Sequence, residues 1–74
     1  MFNFAVRLKE LRLSKSLTQK QLASDLGMSE RGIQHYECGT REPSMAALIA
    51  LADFFDVSLD FLTGRNDNPN SHKM

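Results

Sequence analysis

At 74 residues, 42% hydrophobic and with a single cysteine, the chain makes one small domain: it is too short to close an enzyme pocket between large lobes, its longest apolar stretch (Met45 to Ala52) falls short of the roughly 18 residues of a membrane span, and one cysteine builds no disulfide framework. The net charge is zero, but residues 1–41 hold seven Lys/Arg against four Asp/Glu and residues 42–74 hold two against five. The resulting +3 and −3 halves fit a molecule that turns its N-terminal half to a polyanion, although chance also produces such splits.

β-branched residues are sparse and apolar positions recur at spacings of three and four, so the chain reads as all-α with five helices. The first runs from about Asn3 to Lys15, with Phe4, Leu8 and Leu11 on one face. The second starts at Thr18, an N-cap that forms a capping box with Gln21, and ends at Gly27. The third starts at Ser29 and ends near Cys38, before Gly39. The fourth starts at Ser44, after Pro43, and runs to about Phe55. The fifth is short, capped by Ser58 and closed by Gly64. One rule links four of these starts: an apolar residue just before the cap pairs with another five positions on. The pairs are Leu17 with Leu22, Met28 with Ile33, Pro43 with Leu48 and Val57 with Leu62. Residues 1–65 form the domain, and residues 66–74 read as a disordered tail with no sign of a linker to a further domain.

The second and third helices, joined at Gly27, have the layout of a helix-turn-helix. Ala23 is small where the two would cross. Leu22, Leu26, Ile33 and Tyr36 face inward. That leaves Glu30, Arg31, Gln34 and His35 outward on the third helix. These are long polar side chains able to reach base edges: Arg pairs with guanine, Gln with adenine, and a carboxylate accepts from cytosine. The plain alternative is a solvated helix surface.

The segments Leu17-Thr18-Gln19-Lys20-Gln21-Leu22-Ala23, Leu26-Gly27-Met28-Ser29, Ile33, Tyr36-Glu37, Gly39 and Pro43-Ser44 resemble the phage repressor/Cro (Xre-type) helix-turn-helix family. The likeness continues through Leu51-Ala52, Phe55 and Val57-Ser58-Leu59-Asp60-Phe61-Leu62, covering roughly residues 4–64. It implies a compact five-helix lambda-repressor-like domain that binds double-stranded DNA with its third helix in the major groove. It implies base reading by Glu30, Arg31, Gln34 and His35. It implies DNA backbone contacts by Arg12, Gln19, Lys20, Ser29, Thr40 and Arg41, with Gln19 also bracing the recognition helix. Arg12 and Glu37 would form a structural brace behind that helix, or else a routine surface ion pair. Three departures stand out: Ser16 where the family often has Gly, Gly32 where Ser or Thr is usual, and Cys38 where a polar residue is commoner.

A regulator of this kind is expected to act as a homodimer on a pseudo-palindromic operator. The candidates for its two-fold surface are Phe54, Asp56, Ser58 and Leu59, because helix four carries more apolar residues than one buried stripe needs; core packing of Phe54 and Ile49 is the alternative. The runner-up function is a protein-interaction module, such as an antitoxin or co-regulator, with a protein partner. An enzyme is not expected, since nothing couples a nucleophile, a base and an orienting group. No cofactor or metal is expected: His35 and Cys38 are three apart, but two ligands make a poor site. Early charges at Arg7, Lys9 and Glu10 leave no secretory segment, so a cytoplasmic protein is expected. With no ligand domain after the DNA-binding unit, control by concentration or by a partner is expected.

Overall fold

The computed structural model describes residues 4–64, and within them the elements are α1 (Phe4–Ser14), α2 (Gln19–Leu26), α3 (Glu30–Cys38), α4 (Met45–Phe55) and α5 (Leu59–Leu62). The tail at 66–74 and the expected start at Asn3 lie outside the described residues.

Each helix after the first begins on a hydroxyl. Thr18, Ser29, Ser44 and Ser58 stand in extended backbone and accept from the amides of Gln21, Gly32, Ala47 and Phe61. Each satisfies an amide that has no partner inside its helix. At Thr18 the box is complete, because the Gln21 side chain accepts the Thr18 amide at 2.8 Å.

Four helices also end alike. The chain passes through a left-handed residue, and the next amide reaches back five residues to a carbonyl. Leu17 bonds Arg12, Met28 bonds Ala23, Thr40 bonds His35 and Val57 bonds Ala52, at 2.8–3.2 Å. The left-handed residues are Ser16, Gly27, Gly39 and Asp56. Gly holds two of these positions; Asp56 (φ 58°) is a type that tolerates this region, while Ser16 (φ 57°) occupies it against its steric preference. Ser16→Gly should therefore raise stability by about 0.5–1 kcal/mol, the relief of the left-handed strain less the entropy glycine adds to the unfolded chain. Urea unfolding measures it, and an unchanged or lowered midpoint would contradict it.

The core gathers Phe4 and Leu8 of α1, Leu22 and Ala23 of α2, Ile33 of α3, Leu51, Ala52 and Phe55 of α4, and Val57 and Leu62 around α5. Both partners of the Val57–Leu62 staple are buried, and Leu17, Met28 and Leu48 lean on the core from its rim. Tyr36 meets Phe4 edge to face at 5.8 Å, tying α3 to α1. The Arg7 guanidinium lies 4.0 Å over the Phe61 ring and ties α1 to α5. The staples and these ties orient α3 so that one face is held and the other is left to solvent.

Of the residues expected at a two-fold surface, Ser58 exposes least in the single chain. It is 4% exposed, and its hydroxyl is occupied by the Phe61 amide. Phe54 is half-buried, edge to face with Phe55 at 5.0 Å and packed against the core. The surplus apolar surface of α4 lies instead at Met45 and Ile49. At 100° per residue, Phe54 sits half a turn from Met45, so the two flanks of α4 cannot serve one flat contact.

Candidate nucleic-acid interface

The last turn of the third helix is fixed by an ion pair. Arg12 Nε donates to Glu37 Oε2 at 2.6 Å and an Arg12 terminal nitrogen donates to Oε1 at 3.1 Å. The other terminal nitrogen donates to the Leu17 carbonyl at 2.7 Å, and Gln19 Nε2 donates to Glu37 Oε1 at 3.1 Å. The side chains of Arg12 and Glu37 are only 10% and 4% exposed. One carboxylate thus joins the end of α1, the start of α2 and the last turn of α3. The bond to Glu37 raises the Arg12 pKa above its ordinary value; burial opposes this and the Glu37 charge adds to it. A raised base stabilises at every pH below its ordinary value, and the effect is lost only as pH climbs through the raised one. While Glu37 is ionised, Arg12 therefore keeps its charge and its part in the brace from neutral pH into alkali.

Beside this anchored turn, Glu30, Arg31 and Gln34 are exposed and His35 is half-exposed. Successive positions 30, 31, 34 and 35 share one side of a helix. Lys20, Ser29, Thr40 and Arg41 are exposed as well, and Gln19 is half-buried beside Glu37. Ser29 and Arg41 line a common hollow of about 400 Å³ with Gly32 and Ser44, where the N-termini of α3 and α4 come together. Gly32 is the third residue past the Ser29 cap, a place that Gln21, Ala47 and Phe61 fill in the other capped helices. Its amide donates to the Ser29 hydroxyl at 3.0 Å, and a Cβ there would stand 3.1 Å from that same oxygen.

Three features had no clear sequence signal. The Leu17 carbonyl, just past the left-handed Ser16, accepts from Arg12. Val6 and Leu13, seven apart on the outer face of α1, are exposed. His35 Nδ1 lies 2.8 Å from Thr40 Oγ1, a pair that a search at helical spacings misses because Thr40 lies beyond the helix. Cys38 is exposed, and among the described residues no group of three or more His, Cys, Asp or Glu is placed to hold a metal. Among the same residues no helix is long and apolar enough to cross a membrane.

Residues 8–62 match the family model described as helix-turn-helix. An SPbeta prophage-derived HTH-type transcriptional regulator, YonR of Bacillus subtilis, is 41% identical over 59 residues, covering 80% of this chain and 55% of its own length. A transcriptional regulator from Listeria innocua superposes with a TM-score of 0.81 at 33% identity, over 86% of this chain and 60% of that one. The restriction-modification controller protein C.AhdI from Aeromonas hydrophila superposes with a TM-score of 0.73 at 34% identity, over 80% of this chain and 89% of that one. The chain spans under two thirds of the length of the curated relatives it matches.

Proposed function

Because the chain belongs to the helix-turn-helix family of phage-repressor (Xre) type, we propose that it is a transcriptional regulator, a repressor by preference, that reads double-stranded DNA with α3 in the major groove. The observation that carries this reading is the two-sidedness of α3. Its inner face packs on the core through Ile33 and Tyr36, its last turn is tied to α1 and α2 through Glu37, and Glu30, Arg31 and Gln34 are exposed with His35 half-exposed beside them. A reading head must hold its side chains still relative to the phosphates that position it. The brace supplies that, because it also holds Gln19 at the start of α2.

The backbone contacts of this reading are Gln19, Lys20, Ser29 and Arg41. Arg12 is withdrawn from them: three of its hydrogen bonds go to Glu37 and Leu17, and little of it reaches solvent. Fluorescence anisotropy over a salt series tests the reading. The logarithm of the affinity should fall linearly with the logarithm of salt, by about 0.9 per phosphate neutralised. A chain that binds no DNA at low salt would turn the proposal over in favour of a protein-interaction role.

The regulator works as a homodimer, with two α3 helices about 34 Å apart on a pseudo-palindromic site. Phe54, Asp56 and Leu59 remain the surface for this two-fold contact, and Leu59 is 40% exposed at the start of α5. Leu59→Lys should shift sedimentation from dimer to monomer with the fold intact. Ile49→Lys, on the opposite flank of α4, should leave the dimer unchanged. Dissociation by Ile49→Lys alone would move the interface to the other flank.

A further inference from the structure

The loop after α3 carries a contact that bears on which atoms one of the reading side chains can offer. The Thr40 hydroxyl oxygen lies 2.8 Å from His35 Nδ1 and 3.3 Å from the His35 carbonyl oxygen. A hydroxyl has one proton to give. The carbonyl oxygen can only accept, so a bond to it takes that proton. With the hydroxyl proton on that carbonyl, the 2.8 Å ring contact has Nδ1 as its donor; with the proton on the ring contact instead, Nδ1 is the acceptor and the carbonyl keeps the Thr40 amide alone. A neutral imidazole carries one N–H, and its other nitrogen is a bare acceptor. The Thr40 backbone amide, bonded to the same His35 carbonyl at 3.0 Å, keeps the hydroxyl in place.

We propose that Thr40 is a positioning residue that fixes His35 in the Nδ1–H form, so that His35 Nε2 meets DNA as a hydrogen-bond acceptor and favours a base pair presenting an exocyclic amino group. In the major groove that group is N4 of cytosine or N6 of adenine. The proposal rests on the DNA-reading function above and changes one expectation of the sequence: the Thr40 hydroxyl is occupied by His35, rather than free for a phosphate. It also gives α3 a mixed reading face, with acceptors at Glu30 and His35, donors at Arg31 and both at Gln34.

Two measurements test it. The first is long-range nitrogen NMR of the imidazole in alkaline buffer, on the full chain with His72→Gln so that a single ring reports. The expected spectrum shows a protonated Nδ1 and a bare Nε2. Thr40→Ser should keep that pattern, while Thr40→Val should shift the ring toward the Nε2–H form. An Nε2–H ring in the unchanged Thr40 chain, or a ring that ignores Thr40→Val, overturns the proposal. The second finds the base pair at which His35→Ala loses preference and replaces its purine with the 7-deaza analogue. Affinity within about twofold is expected, because an acceptor has no use for N7. A loss of about tenfold or more would mean that the ring donates to N7, and also overturns it. Absence of any DNA binding beside the expected NMR pattern overturns the DNA reading, and the base preference with it; intact DNA reading with an Nε2–H ring overturns the Thr40 assignment alone.

Discussion

Glu37→Ala should lower the unfolding free energy by about 3–5 kcal/mol, the usual effect of leaving one buried charge without its partner. Such a loss is large against a total of roughly 4–11 kcal/mol for a chain of this size. Neither Arg12 nor Glu37 is exposed enough for solvent to screen the loss. The change strands three groups at once: two Arg12 donors and the Gln19 amide. At about 4 °C or more per kcal/mol for a small domain, Tm should fall by at least about 12 °C. A double-mutant cycle with Arg12→Met separates the pair from its surroundings, and a coupling between about 0.5 and 3 kcal/mol is expected. A Tm within a few degrees of the unmodified chain would show that the pair is an ordinary surface contact.

Arg31→Ala should cost about 1–3 kcal/mol on the preferred DNA site and relax the preference at one base pair, leaving nonspecific affinity nearly as it was. The side chain is exposed on the outer face of α3 and supports no core packing, so stability should be untouched. Competition binding against a panel of sites with single base-pair changes reads the effect. An equal loss on every sequence would make Arg31 a phosphate contact and take away the strongest of the base readers.

How much of this could be read from the sequence depends on how local each cause is. Helix starts were legible because capping is chemistry between neighbours: Thr18, Ser29, Ser44 and Ser58 each cap within three residues. The ends at Gly27 and Gly39 were legible for the same reason. The left-handed turn at Asp56 was not, because aspartate accepts that conformation without announcing it, and at Ser16 only the family likeness marked the position. The brace spans 25 residues, a distance over which spacing alone says nothing; the likeness pointed to Arg12 and Glu37, and the Leu17 carbonyl emerged only in three dimensions. Ser58 carries two readings, cap and interface; its hydroxyl caps α5 and is 4% exposed in the single chain. For α4, counting apolar residues overstated one surface, since the helical wheel separates Phe54 from Met45 and Ile49.

Reading of DNA sequence by the exposed face of α3 is tested most directly by selecting binders from a random duplex library with the full chain and with its Arg31→Ala variant. The expected result is a two-fold symmetric motif with half-sites one helical turn apart, and loss of preference at a single pair in each half-site with the variant. No enriched motif at low salt, or a motif that Arg31→Ala leaves unchanged, would contradict it.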